Sequence, residues 1–261
     1  MGIVTLGALK NIHRKKIIVA DVDGTICESC TEISQEMAQQ IDCMVKAGYQ
    51  FAFISGTPIP ELKRMISGRL TEQHHLLGNN GTNYVACSGG VFNQIYNYPF
   101  NSEEKREIIA AFEKLITAEH LTSLTTKEDQ LQDRGSQITL SILGRTAPKQ
   151  LKAQYDPEGQ IRAKFITFLQ KHLNPEKYDM KIGGTTSIDA TRKGQDKAFG
   201  LKSFLAYHHK PLSEVIFLGD KIYPHGNDYE ASKIVDSIAV KNLADTLGQL
   251  KKILNKDDLH Q

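Results

Sequence analysis

The chain has 261 residues, enough for one or two domains with a sizeable apolar core. Apolar residues make up 40% and charged residues 24%, with 20 Gly and 8 Pro, a composition that excludes a collagen-like or wholly disordered polypeptide. The 32 basic and 30 acidic side chains leave a formal charge of only +2, so no global field recruits nucleic acid or an anionic membrane.

No uncharged apolar run reaches the roughly 18 residues of a membrane span, and the expectation is a soluble, cytoplasmic protein, its oligomeric state left open. Ile17-Ile18-Val19-Ala20 is a short, β-branched apolar run, as expected of a strand buried on both faces, and it ends in Asp21-Val22-Asp23-Gly24-Thr25. Thr31 then stands where it can cap a helix whose apolar residues Ile33, Met37, Ile41 and Met44 recur at helical spacing, ending at Gly48. A second buried strand, Phe51-Ala52-Phe53-Ile54, runs into Ser55-Gly56-Thr57, with Pro60 placed to open the next helix. This β-α-β-α order is that of a parallel sheet.

The pattern changes after Asn80-Gly81-Thr82. A helix with Ile108, Ile109, Phe112, Leu115 and Ile116 precedes Gln137-Ile138-Thr139-Leu140-Ser141-Ile142, whose strict alternation predicts one buried and one wet face. A second helix, over Ile161, Phe165, Ile166 and Leu169, precedes another alternating stretch at Thr186-Ser187-Ile188-Asp189. Buried strands resume at Val215-Ile216-Phe217-Leu218, ending in Gly219-Asp220, and at Ile238-Ala239-Val240, with a closing amphipathic helix marked by Leu243, Leu247, Leu250 and Leu254. The expected division is a core in two parts, 1–98 and 187–261, around an inserted unit at 99–186.

Three strands end in residues with chemistry: Asp21 and Asp23, then Ser55, then Asp220. Ligands of open α/β sheets bind beyond the carboxyl ends of the strands, so these groups are expected to meet there. Several carboxylates share such an edge only when a cation offsets their repulsion, and an all-oxygen set without histidine favours Mg²⁺ over zinc. Ser55-Gly56-Thr57 offers a hydroxyl and backbone N–H groups as an anion cradle, and Lys193 a positive charge ahead of a helix over Ala198, Leu201 and Leu205. Two Asp, a Ser, a Lys and a further Asp around Mg²⁺ are what phosphoryl transfer through an aspartyl-phosphate requires. Cys27 and Cys30 form a C-x-x-C without the second pair of a zinc site, and they are read with Cys43 and Cys87 as reduced thiols. The pairs His74-His75 and His208-His209 are read as surface residues.

Asp21-Val22-Asp23-Gly24-Thr25, Phe53-Ile54-Ser55-Gly56-Thr57, Lys193, and Gly219-Asp220-Lys221 with Gly226-Asn227-Asp228 resemble, in order, the four motifs of the haloacid dehalogenase superfamily. An insertion between the second and third motifs is similar to its IIB subfamily. Gly183-Gly184-Thr185-Thr186-Ser187-Ile188-Asp189 through Lys197, and Gly219 through Glu230, resemble the eukaryotic-type phosphomannomutases. The resemblance implies an α/β fold with a Rossmann-like core, a parallel sheet and an inserted α/β cap of the C2 type with an antiparallel sheet.

It further implies Asp21 as the nucleophile, Asp23 as general acid and base, and Mg²⁺ held by Asp21, the Asp23 carbonyl and Asp220. Asn227 and Asp228 would support the metal loop. Ser55, Gly56, Thr57 and Lys193 would bind the transferring phosphoryl group, Arg134 and Arg145 the remote phosphate of a sugar, and Ser187 and Asp189 its hydroxyls. The sequence departs from the phosphomannomutase pattern at Cys30, which replaces an Arg nine residues after the nucleophile, and at Lys152, which replaces a third cap Arg. Losing phosphate anchors bears on isomerisation more than on hydrolysis. The expectation is therefore a Mg²⁺-dependent phosphatase of small phosphorylated metabolites, with a phosphomannomutase as the alternative and a fold-retaining binding protein without turnover as the second.

Overall fold

A computed structural model of the chain describes residues 14–224 and 226–258. The first strand, β1 (Ile17–Asp21), is followed by helix α1 (Gln35–Lys46), strand β2 (Gln50–Ile54) and a short helix α2 (Ile59–Leu62) that widens into a π turn over Lys63–Ser67. Ser34, not Thr31, caps α1, accepting a hydrogen bond from the Met37 N–H. Three strands follow that the periodicity did not announce: β3 (His74–Gly78), β4 (Asn83–Ser88) and β5 (Val91–Asn97).

Within the insertion lie α3 (Ser102–Ala118), α4 (Lys127–Gln130), β6 (Leu131–Asp133), β7 (Gln137–Ser141), α5 (Lys149–Tyr155), α6 (Gln160–Leu169), β8 (Tyr178–Gly183) and β9 (Ser187–Arg192). The chain then returns with α7 (Lys197–Tyr207), β10 (Val215–Gly219), α8 (Tyr229–Ser232), β11 (Asp236–Ala239) and α9 (Leu243–Asp258).

The larger sheet has the order β11-β10-β1-β2-β3-β4-β5, with β11 through β3 parallel and β4 and β5 added antiparallel as a hairpin. Both faces are covered. Ile18 and Ala20 of β1 join α1 and α9 in one apolar cluster, while Ile17 and Val19 join α7 in another. A strand buried on alternate faces reads as a continuous apolar run, which is why β1, β2 and β10 were legible.

The second sheet, β6-β7-β9-β8, is antiparallel throughout and packs Ile138, Leu140, Ile188 and Ala190 against α3 and α6. The alternate residues of β7 are not wet as expected: Gln137, Thr139 and Ser141 are also buried, satisfied partly by one another, since Gln137 Nε2 donates to Thr139 Oγ1 at 3.1 Å.

Two compact units result, one of residues up to Asn97 together with those from Asp196 on, the other Tyr98–Gln195. The expected return to the core at 187 is thus corrected to 196. Strand β9 pairs in register with both β7 and β8, so it belongs to the inserted unit, and its hydrogen bonds outrank the break in pattern near 186.

Candidate active site

Asp21 closes β1, and the chain turns at once, with Ile26 N–H donating to the Val22 carbonyl and Gly24 N–H to that of Cys27. Gly24 has φ +84°, and a Cβ there would fall 2.8 Å from Asp220 Oδ2, so only glycine lets this loop lie against the end of β10. One ligand oxygen from each of Asp21, Asp220 and Asp228 lies within 4.8 Å of the others. Residues far apart in sequence therefore converge where the parallel strands end, as the topology requires.

The lysine of this cluster is Lys197, not Lys193. Lys197 is the first residue of α7, whose N-cap Asp196 accepts from the N–H groups of Ala198 and Phe199. Its side chain is fully buried, and Nζ donates to Asp21 Oδ1 at 2.5 Å and to Asp228 Oδ1 at 2.6 Å. Lys193 lies in the inserted unit, half-exposed, paired with Asp179 at 3.1 Å. The two lysines are four residues apart and chemically alike, and what separates them is the cap: an Asp just ahead of the apolar positions of α7 marks Lys197 as the residue carried inward.

Burial pushes the Asp21 carboxyl up to about 7, opposed by the Lys197 ammonium and reinforced by Asp228 and Asp220. Burial works against charge on Lys197 too, but Asp21 and Asp228 outweigh it and hold the ammonium above its ordinary range. Lys197 pairs with Asp21 and Asp228, whereas Asp220 Oδ2 has the half-exposed Lys221 Nζ at 3.8 Å, and Asp220 Oδ1 is buried with no hydrogen-bond partner. An all-oxygen donor set with an orphaned acceptor fits Mg²⁺, and the set includes Asp228, which the sequence placed in a supporting role. Asp228 Oδ2 also accepts from the Lys221 N–H at 3.0 Å, tying the two ends of the loop together, while Asn227 is exposed on it.

Asp23, two residues beyond Asp21, is held by the hydroxyl loop after β2. Ser55 Oγ and Thr57 Oγ1 donate to its Oδ2 at 3.4 and 3.5 Å, and the Cys30 N–H donates to Oδ1 at 3.4 Å. Ser55 Oγ in turn accepts from the Thr57 N–H at 3.0 Å, so Ser55-Gly56-Thr57 folds into the turn expected of it. These long bonds leave Asp23 held but free to exchange partners. The four cysteines are free thiols, Cys27 and Cys87 buried, Cys30 and Cys43 exposed.

In the inserted unit, Arg134 donates from Nε and Nη2 to Gln132 Oε1, and its charge bears on Asp189, whose carboxyl is raised by burial and pulled back by that guanidinium. Asp189 Oδ1 accepts from Thr139 Oγ1 at 2.7 Å, and Ser187 Oγ lies 3.2 Å from Ser141 Oγ on the same face. The Arg145 loop is fixed by Asp129, whose carbonyl accepts the Arg145 N–H, and by Lys152, whose Nζ donates to the Arg145 carbonyl at 2.8 Å. His74 and His75, read as surface residues, are both buried in β3, and His208 is half-buried, while His209 is exposed.

A parallel sheet with an antiparallel-sheet insertion, and an Asp pair, a lysine and a further carboxylate pair at its strand ends, define a phosphotransferase or phosphatase of the haloacid dehalogenase superfamily. The family described as eukaryotic phosphomannomutase matches residues 41–256, and the chain belongs to that family. Phosphomannomutases of Encephalitozoon cuniculi and Saccharomyces cerevisiae are 25% and 26% identical, the first covering 93% of this chain and 94% of its own, the second 82% and 84%. The solved IMP-bound IMP-nucleotidase of Plasmodium falciparum shares the fold at TM-score 0.66 and 16% identity, over 92% of this chain and 68% of its own. The family match and the two phosphomannomutases back the mutase alternative better than the simpler phosphatase, while the nucleotidase speaks to the fold alone.

Proposed function

We propose that this chain is a Mg²⁺-dependent phosphomannomutase-type enzyme that moves a phosphoryl group between the 1- and 6-oxygens of mannose through an aspartyl-phosphate on Asp21, working in the cytoplasm, a reducing compartment that suits its free thiols. The observation that carries it is Asp21 buried between Lys197 and Asp220 in a chain matched by that family over most of its length. Asp21, Asp220 and Asp228 would hold Mg²⁺, which supplies charge neutralisation for a phosphoryl group entering an acidic site.

A carboxylate oxygen of Asp21 attacks phosphorus as the bond from phosphorus to the sugar oxygen breaks. Lys197 fixes the Asp21 rotamer and lies beside the developing charge. Asp23 gives its proton to the leaving sugar oxygen, and takes one from the hydroxyl that attacks the aspartyl-phosphate in return. Ser55 and Thr57 hold Asp23 and offer donors to the transferring oxygens. Arg134 and Arg145 would bind the non-reacting phosphate, their planar forks matching its oxygens in pairs, with Ser187 and Asp189 on sugar hydroxyls.

A phosphatase is the second reading. It is favoured by Cys30 and by Lys152, whose ammonium is engaged on the Arg145 backbone. Phosphorus NMR of the enzyme with Mg²⁺, mannose 1-phosphate and a hexose bisphosphate activator separates the two. We expect mannose 6-phosphate to accumulate, whereas inorganic phosphate alone would establish the hydrolase. The Asp21→Asn variant should abolish either product, and undiminished turnover by it would remove the aspartyl-phosphate.

A further inference from the structure

We infer that Arg162 is a positioning residue for substrate recognition: it clamps the β8–β9 turn and thereby sets the Asp189 carboxylate on the polar face of the inserted sheet. Arg162 lies on α6, outside every motif quoted above, and its side chain is only 4% exposed. Nε donates to Asp156 Oδ2 and Nη2 to the Asp156 carbonyl, each at 2.8 Å. Nη1 donates to two carbonyls of the turn, Gly183 and Gly184, each at 2.9 Å. Asp156, itself buried, also accepts from the backbone N–H groups of Ile161 and Arg162, so the ion pair is locked to the start of α6.

A buried pair of this kind is a poor device for stability alone, because desolvation consumes most of the Coulombic gain. What it fixes here is geometry. Gly183 is paired with Ser187 across the β8–β9 ladder, and a Cβ on Gly183 would fall 2.4 Å from Asp189 Oδ2. The Asp189 carboxylate therefore lies directly on the Gly183 backbone that Arg162 holds, with Thr139 Oγ1 on its other oxygen. The far side of the turn is pinned as well, the Thr186 carbonyl accepting from the Ile142 N–H at 3.0 Å. Any drift of Gly183 moves the floor beneath Asp189.

This inference rests on the proposed contact of Asp189 with the sugar, and the experiment separates the two. Steady-state kinetics with mannose 1-phosphate and with p-nitrophenyl phosphate, which has no sugar to recognise, are measured for Arg162→Lys, Gly183→Ala and Asp189→Asn. Lysine keeps the charge next to Asp156 but cannot reach both carbonyls, and Gly183→Ala leaves the ion pair intact while crowding the carboxylate. We expect both to raise KM for mannose 1-phosphate about tenfold or more, the cost of a misplacement near 1 Å, while p-nitrophenyl phosphate turnover stays within about twofold.

If Asp189→Asn raises that KM and the other two, melting near the wild type, do not, Arg162 is merely structural and the inference fails. If Asp189→Asn leaves KM unchanged, the sugar contact itself falls and takes the inference with it. Should Arg162→Lys not fold, Gly183→Ala decides by the same split.

Discussion

An ammonium buried between two carboxylates does two jobs, and each gives Lys197 a measurable consequence. It offsets the cost of burying Asp21 and Asp228, and under the proposed mechanism it stands next to the oxygen that carries charge during transfer. Lys197→Met keeps the length of the side chain and removes both effects. The loss of a preorganised charge at a reacting centre costs roughly 10²–10³ in kcat, and stranding a buried carboxylate costs about 3 kcal/mol or more of stability. Lys193→Met should change activity by less than about twofold, because its partner Asp179 forms a solvent-screened pair. Mannose 6-phosphate formation and thermal melts of both variants check this, and equal losses would count against the assignment. Charge type alone could not choose between the lysines, whereas Asp21, Asp23, Ser55 and Asp220 were readable because each ends an apolar run and the parallel topology does the rest.

At the scale of elements, α7 is the piece that delivers Lys197, and its placement depends on a backbone-to-backbone contact. A Cβ on Gly200, one turn into α7, would fall 2.2 Å from the Asn80 carbonyl, and one on Gly81 would fall 2.4 Å from the Gly200 Cα. The turn after β3 and the helix thus meet with no side chain between them. Gly200→Ala should destabilise the fold by about 1–3 kcal/mol through overpacking, read as a shift of the urea midpoint at unchanged slope, and should reduce turnover by moving Lys197 off Asp21. A midpoint shift toward higher urea would mean that the helix yields easily and that its better propensity prevails. No sequence signal announced this contact. The strands β3 to β5 were missed for a related reason: β3 opens on two histidines, and β5 is an exposed edge, so neither shows the uniform apolar run that betrays a central strand. The end of the insertion was misplaced because β9 is recognisable only by its partners β7 and β8.

The whole molecule should respond to pH through groups that take no part in the chemistry. His75 on β3, Tyr84 on β4 and His208 just past α7 form a chain, with Tyr84 Oη 2.8 Å from both His75 Nδ1 and His208 Nε2. One hydroxyl donates to only one ring, so the other ring donates to it, an arrangement satisfied by two neutral imidazoles. Burial drives the His75 pKa down to about 3, with His208 and His74 adding to the fall. In the unfolded chain the same ring titrates near about 6.5. Between these values the unfolded state binds the extra proton, so the contribution of His75 is complete above about 6.5 and is lost as pH falls toward 3, at up to about 1.4 kcal/mol per pH unit. His75→Phe keeps a ring against Phe204 and leaves Tyr84 its bond to His208. Urea midpoints of the two proteins at pH 7.5, 6 and 5, spaced across the window by about a unit or more, should therefore converge as the pH falls, with the wild type losing stability faster. Parallel lines would show that the His75 imidazole takes up its proton as readily in the folded protein as in the unfolded chain.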